Sequence, residues 1–423
     1  MVMIPADGKR RHFARRERPA RFREKTEREV IIMRKAVIVI GCSYGDEGKG
    51  LAAVSSAEKM QGSCLNILIN GGAQRGHTVD LPDGRRHVFH HFGSASMRGA
   101  VSCADEDFIV NPMLFAEEQA ELLRDFRLAP RLLISGKCRV TLPWDMMLGQ
   151  IIEENRGKAR FGSCGCGIQE TRVRFQNTDW ALRYGQLIRI SEDEFTDYCR
   201  RVIREYLPAR LRSMCMTAGP DWQQIIQDEG IIRHTWEDLR NMRSSAEIFH
   251  DWKMTAEAFD DLIFEAGQGL ALDAENTRDF PYLTPSRTTS LISARRIAAL
   301  SGMTDTEILY VTRTYLTRHG PGPFPTECPK ERINSDMEDR TNIPNPHQQS
   351  LRYGLFDGEA VLRRAAADRE ASRAVLPHVK TAVLVTHLNE TGNVLTGGMP
   401  MEVFTSAFDR AVFSDSPWKT FRV

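Results

Sequence analysis

Long apolar runs are missing from this chain: no stretch of about 18 consecutive apolar residues occurs, which excludes a membrane-spanning helix and leaves no membrane partner to expect. An excess of charge of one sign is missing too. With 57 Lys and Arg against 56 Asp and Glu the net charge is +1, so bulk attraction to nucleic acid is not expected. The nine cysteines form no regular framework and no secretory leader opens the sequence; both point to a reducing, cytoplasmic setting rather than a disulfide scaffold. What is there is a chain of 423 residues, 41% hydrophobic, long enough to bury a large core as one big α/β domain or two ordinary ones.

The first 35 residues stand apart, with twelve Lys or Arg, five Asp or Glu, and few apolar residues before Val30. This composition predicts a basic, disordered or exposed extension over residues 1–34, ahead of a folded domain over 35–423. A nucleic-acid tether is the functional reading of the arm. The simpler reading, a dispensable extension with Met33 directly before the first strand, is preferred.

Ala36 to Gly50, reading Ala-Val-Ile-Val-Ile-Gly-Cys-Ser-Tyr-Gly-Asp-Glu-Gly-Lys-Gly, organises the rest. The β-branched run reads as a buried strand and the turn after it as a phosphate loop. Gly45, Gly48 and Gly50 permit backbone conformations closed to other residues and bring N–H groups close to phosphate oxygens, and Lys49 adds positive charge. The common Gly-x-x-x-x-Gly-Lys-Ser/Thr spacing is absent, since Ser43 and Gly50 stand where it needs glycine and a hydroxyl residue. Two carboxylates, Asp46 and Glu47, are out of place beside phosphate unless one holds a cation or removes a proton.

Downstream, a helical stretch over Leu51–Lys59 and an apolar strand over Cys64–Asn70 open a βαβ pattern. A helix entry follows over Ile109–Leu123, a buried strand at Leu132–Ser135, and a charged helical region over 178–258 with Trp180, Trp222 and Trp236 as packing anchors. His87, His90 and His91 suggest a metal cluster by composition, but neighbours on a strand face opposite ways, and a structural role fits His87 and His91 better. Cys164-x-Cys166 suggests metal or redox chemistry only weakly, because no second pair at zinc spacing accompanies it.

The Gly45-Asp46-Glu47-Gly48-Lys49-Gly50 turn resembles the nucleotide loop of the adenylosuccinate synthetase family. Four more stretches share the likeness: Asn70 to Val79 (Asn-Gly-Gly-Ala-Gln-Arg-Gly-His-Thr-Val), Gly162 to Thr171, Leu262 to Asp273 with its Gly-Gln-Gly, and Arg318 to Glu327. The likeness runs from about Lys35 to the end. It implies an α/β fold, P-loop-NTPase-like, as a single large domain around a mainly parallel central sheet, and a Mg²⁺-dependent, C–N bond-forming ligase that works as a homodimer. Carried onto this chain, it makes Asp46 the base for the purine N1 proton and a Mg²⁺ ligand, with the Gly76 carbonyl as a second ligand. Lys49 would contact the donor phosphates within a shell of Ser43, Gly45, Glu47, Gly48, Gly50 and Thr78, and His77 would donate to the transferring phosphoryl group. The purine monophosphate would meet Asn70, Gln74, Gln268 and Thr284, with its phosphate on Ser163 and Cys164. Arg174, or less favourably Arg172, would reach that phosphate across the dimer interface.

The chain departs from the family in three places. The arginine-rich aspartate loop is reduced to Arg352, so Arg352 is expected to contact L-aspartate with Thr341 and Asn342. At the donor-base turn Thr386-His387-Leu388-Asn389 replaces Thr-Lys-Leu-Asp. A carboxylate accepts from N1–H and the 2-amino group of guanine, whereas Asn389 offers one acceptor and one donor, a pattern that suits adenine. Ser416 stands at the last donor-base contact, on a shortened C-terminus. These departures resemble the phage-type branch, the 2-aminoadenylosuccinate synthetases, in which ATP or dATP drives condensation of aspartate with dGMP or GMP. Retention of Asp46 keeps the ordinary reaction, IMP with GTP, as the alternative. A non-catalytic nucleotide-binding homologue is disfavoured because Asp46, Lys49 and His77 are all present.

Overall fold

In a computed structural model, which describes residues 34–337 and 350–422, the first apolar run is strand β1 (Arg34–Gly41). Val37 and Val39 face one side of it, Ala36, Ile38 and Ile40 the other, and all five are buried. A strand covered on both faces belongs in the middle of an α/β sheet. The basic extension through residue 33 and the pair Thr341 and Asn342 lie outside the described residues.

In chain order there follow β2 (Cys64–Leu68), β3 (His77–Asp80), β4 (Arg86–Phe89), β5 (Val101–Ala104), β6 (Ile109–Val110), β7 (Leu132–Ser135), β8 (Arg139–Val140) and β9 (Glu247–Phe249). Then come β10 (Asp261–Gly269), β11 (Met303–Arg313), β12 (Leu316–Arg318), β13 (Glu327–Cys328), β14 (Arg352–Gly354), β15 (Lys380–Thr386), β16 (Arg410–Ser416) and β17 (Lys419–Phe421). The central sheet has ten strands in the order β17-β16-β15-β11-β1-β10-β2-β5-β7-β9, and every neighbouring pair is parallel except β16 with β17. The expected mainly parallel α/β sheet is what the chain forms. Register sets Ile38 of β1 opposite Phe264 of β10 and Ile308 of β11, so apolar rows run across the sheet. Each such buried Ile or Phe is worth about 1.5–3 kcal/mol against exposure.

Helix α1 (Lys49–Ala57) lies on the Val37 and Val39 face, where its Ala52 and Ala53 pack against Ile263, Leu309 and Val311. The helix expected from Ile109 begins later, as α2 (Pro112–Phe126), because Ile109 and Val110 pair with Arg139 and Val140 as a short parallel ladder. Its start is set chemically: the Asn111 side chain accepts from the N–H groups of Met113 and Leu114, and Pro112 occupies the first helical position. Across 178–258 the chain is mostly helical. Trp236 is buried there, with Trp180 and Trp222 partly buried against the same cluster.

The described residues, 34–337 and 350–422, group as one compact unit. Among the described residues no helix is long and apolar enough to cross a membrane. The loops after β15, β11, β1, β10 and β2 leave the carboxyl ends of five strands contiguous in the sheet, so stretches far apart in the chain converge on one edge; the Gly162–Thr171 stretch instead runs from α3 (Pro143–Arg156) into α4 (Ile168–Gln176).

Candidate active site

Between β1 and α1 the backbone turns left-handed three times in four residues: Gly45 at φ 105°, Asp46 at φ 55° and Gly48 at φ 96°. Two of these are cheap for glycine; at Asp46 the conformation is uncommon for a residue with a side chain. Gly48 caps α1 without a side-chain hydrogen bond, and no acidic residue sits in the first turn, so the N–H groups of that turn stay available to an anion.

The two carboxylates of the loop are used differently. Glu47 folds inward, accepts from the Ser43 N–H, and lies 3.6 Å from Lys49 Nζ with both side chains buried. Burial pushes its carboxyl up to about 7 against the opposing pull of Lys49 and the Ser43 N–H. Asp46 is a quarter exposed to a cavity, and its Oδ2 lies 2.7 Å from His319 Nε2. Its main-chain carbonyl accepts from Arg313 Nε. Burial alone would raise the Asp46 carboxyl; the hydrogen bond and charge of His319, with Arg313 and Lys49 nearby, outweigh it and hold Asp46 well below the usual carboxylate range.

His77, at the start of β3, is oriented from behind. Glu265, in the middle of β10, accepts on Oε1 from His77 Nδ1 at 2.6 Å, Arg75 Nη2 at 2.9 Å and Ser94 Oγ at 2.5 Å, and on Oε2 from the Ser94 N–H at 3.0 Å. Burial would raise the Glu265 carboxyl, but Arg75, His77 and Ser94 keep it ionised and far below its ordinary value. Burial and the Arg75 charge push the His77 ring down to about 4, outweighing Glu265. An ionised carboxylate only accepts, so Nδ1 carries the proton and Nε2 faces the cavity side, 3.4 Å from the Gly267 carbonyl.

These groups line a cavity of about 1190 Å³, more than the roughly 300–1,000 Å³ typical of a site for one drug-sized ligand. The structure brings to its wall Gly45, Asp46, Glu47, Gly48, Lys49, Gly50, Gln74, Gly76, His77, Thr78, Ser163, Cys164, Gln268, Thr284, Asn389 and Ser416. Three of these residues carry a buried side-chain oxygen with no protein hydrogen-bond partner: Glu47 Oε2, Gln74 Oε1 and Gln268 Oε1. At the far end, Asn389 is exposed on the turn after β15, beside Glu390, which accepts from the Tyr315 hydroxyl at 2.5 Å. Glu153, near the end of α3 (Pro143–Arg156), accepts on Oε2 from the N–H groups of Gly162 at 2.7 Å and Ser163 at 3.3 Å in the loop that follows, and its Oε1 pairs with Arg156. A hydrogen bond from the Cys166 thiol pushes Cys164 down to about 7, against burial.

Four expected contacts are corrected. Arg174 is fully buried in α4 (Ile168–Gln176), with its guanidinium forked on Asp145 at 2.8 and 2.7 Å and bonded to the Val140 and Trp180 carbonyls, so it is committed within its own chain. Arg172, one turn face away, is half-buried. Arg352 is not presented to the cavity for aspartate: it pairs with Glu327 and donates through Nη1 to the Gly320 and Gly322 carbonyls at 3.0 Å each. Ser43 is buried beneath the loop, accepting from Arg364 Nη2 at 3.1 Å. Asn70 braces two site loops instead of facing substrate, donating to the Arg287 carbonyl and accepting from the Gly267 N–H, both at 2.7 Å.

The histidine-rich stretch builds no metal cluster among the described residues. Glu118 accepts there from the N–H groups of His90 at 2.8 Å and His91 at 2.6 Å, with the His87 and His91 rings around it. Glu265, Arg75, Arg313 and His319 carried no role in the sequence reading. A charged residue within the apolar run Leu262-Ile263-Phe264-Glu265-Ala266 was the signal available for the first; Arg75 and His319 lie inside two of the quoted stretches, and nothing local marked Arg313.

The adenylosuccinate synthetase family profile matches residues 38–383. An adenylosuccinate synthetase of Chromohalobacter salexigens is 31% identical over 343 residues, covering 78% of this chain and 73% of that protein, and one from a Marinomonas species is 28% identical over 382 residues, covering 87% and 83%. Among solved structures, the fully ligated adenylosuccinate synthetase of Plasmodium falciparum superposes with TM-score 0.64 at 19% identity over 88% of this chain and 86% of that one. The cyanophage S-2L succinoaminodeoxyadenylate synthetase bound to dGMP and dATP superposes with TM-score 0.62 at 15% identity over 92% and 95%. At these identities both structures attest the fold alone.

Proposed function

Because the chain belongs to the adenylosuccinate synthetase family of C–N bond-forming ligases, we propose that it condenses L-aspartate with C6 of a guanine monophosphate, dGMP or GMP, at the expense of ATP or dATP. The product is a 2-amino-(deoxy)adenylosuccinate. The observation that carries this reading is the pair of unpartnered acceptors, Gln74 Oε1 and Gln268 Oε1, on the cavity wall. Guanine brings a 2-amino donor that hypoxanthine lacks, and a buried acceptor left unpaired costs about 1–3 kcal/mol. Asn389 at the donor-base end adds to it, through the adenine-like pattern its amide complements. The cyanophage enzyme of the same fold, bound to dGMP and dATP, agrees with the proposal.

In the proposed mechanism Asp46 takes the N1 proton, which turns the 6-oxygen into a nucleophile for the donor γ-phosphoryl group. Asp46 is held in its ionised form, the one that accepts a proton. Lys49 and the open first turn of α1 hold the donor phosphates. His77, anchored on Glu265, sits at the transferring group, whose negative charge raises the proton affinity of the ring and lets Nε2–H donate to it. The aspartate amine then attacks C6 and phosphate leaves.

Asp46, an ionised carboxylate, and Gly76, with its carbonyl, both line the cavity and offer the oxygen donors that a hard cation such as Mg²⁺ takes, with water and phosphate oxygens completing its shell. Bound there, Mg²⁺ would neutralise developing phosphoryl charge. Assembly as a homodimer belongs to the same proposal, with light scattering as its check. A second reading, IMP with GTP, is favoured by Asp46 itself, whose carboxylate suits a purine with a lone N1–H.

The test is phosphate release with L-aspartate and Mg²⁺, crossing IMP, GMP and dGMP against ATP, dATP and GTP. Turnover with a guanylate and ATP or dATP is expected, and Asn389→Asp should move donor preference toward GTP. Turnover confined to IMP would overturn the guanylate reading.

A further inference from the structure

His319 is a cavity side chain that the mechanism above does not use. Its Nε2 lies 2.7 Å from Asp46 Oδ2. Asp46 sits on a turn with glycine on one side and Glu47 folded away on the other, and Arg313 Nε donates to its main-chain carbonyl. That bond holds the backbone, and the bond from His319 acts on the carboxylate itself.

His319 itself is firmly held. It follows β12 directly, on the Gly320-Pro321-Gly322-Pro323 turn, whose carbonyls are tied by two guanidinium groups: Arg318 Nη1 on Pro323 at 2.8 Å, and Arg352 Nη1 on Gly320 and Gly322. The cation that sequence assigned to aspartate thus holds the turn that carries the histidine. We propose that His319 is a positioning residue for proton abstraction: its Nε2–H donates to Asp46 Oδ2 and aims Oδ1 at the purine N1–H. The proposal rests on the reading of Asp46 as the base. Its chemistry is hydrogen-bond donation from a rigid platform, which a glutamine amide can reproduce and an aliphatic side chain cannot.

The experiment compares His319→Val, His319→Leu, His319→Gln and Asp46→Asn in the full chain, by steady-state phosphate release across each substrate and by thermal unfolding. The Val and Leu variants should lose about 10–100-fold in kcat, the scale of a catalytic group misplaced by a fraction of an ångström to an ångström, with every KM within about threefold and the unfolding midpoint unchanged. The Gln variant should recover most of the loss. Unchanged kcat, a loss confined to KM, or failure of Gln to rescue a folded protein would overturn the proposal. If Asp46→Asn keeps kcat, the base assignment fails and this proposal with it; if Asp46→Asn is inactive while His319→Val and His319→Leu turn over normally, positioning alone fails.

Discussion

Glu265→Gln is a one-atom change at the most heavily committed carboxylate of the site, and its consequences can be worked from the geometry. Glu265 is wholly buried and accepts four hydrogen bonds, three of them on Oε1, from Arg75, His77 and Ser94. The amide keeps one acceptor oxygen but sets an NH2 group against the Ser94 N–H, and it removes the counter-charge of the Arg75 guanidinium, whose side chain is 0% exposed. Breaking a buried ion pair from one side costs about 3–5 kcal/mol. A cooperative unit of this size has an unfolding entropy near 2 cal/mol/K per residue, so the midpoint should fall by about 3–6 °C at pH 7. The sign with pH follows from the depressed carboxyl: its contribution is present above its unfolded value of 4.5 and is lost as the pH falls through the folded value, so the gap between wild type and variant should narrow in acid. Activity should fall as well, by about 10–100-fold in kcat, because the His77 ring loses the acceptor that fixes Nδ1. Calorimetry and phosphate release on the same preparations check both. A midpoint within a degree of wild type together with unchanged kcat would refute the view that Glu265 neutralises Arg75 and orients His77.

Gly269→Ala should disable the phosphate loop by contact alone: a Cβ there would lie 2.2 Å from the Ser43 carbonyl oxygen and 3.0 Å from the Gly45 N, while the backbone at φ −101° accepts alanine without strain. A kcat/KM for the triphosphate donor lowered at least about tenfold, with an unchanged far-UV spectrum, is the expected result. The His77 ring, at about 4 when folded against 6.5 unfolded, takes up its proton first in the unfolded chain; its contribution is present above pH 6.5 and lost as the pH falls toward 4. His77→Gln should therefore flatten the rise of stability between those values by on the order of 3 kcal/mol, read from urea unfolding across pH. Arg174→Leu should cost about 3–5 kcal/mol by stranding Asp145, Arg174→Leu with Asp145→Leu should regain much of that, and KM for the purine monophosphate should not change in the double variant. A raised KM there would restore Arg174 to the phosphate.

Much of this protein was fixed by short stretches of sequence read alone. The apolar run of β1 and the glycines after it dictate a buried strand and a phosphate-sized loop, because burial on both faces and left-handed turns depend on residues within a few positions of one another. The loops after β2, β10 and β15 were legible for the same reason, as polar, glycine-rich ends of apolar strands, and parallel packing then gathers them at one edge. Tertiary structure alone decided the partner of each long charged side chain. Arg174 and Arg352 looked alike as free cations, yet one finds Asp145 and the other finds the Gly320 and Gly322 carbonyls. Asp46 and His319 are separated by 273 positions and meet at 2.7 Å because β11, beside β1 in the sheet, leads into β12 and the turn that carries His319. A guanidinium or an imidazole reaches several ångströms from its backbone and satisfies whichever acceptor the fold delivers, so its role is set by long-range neighbours that no local pattern encodes.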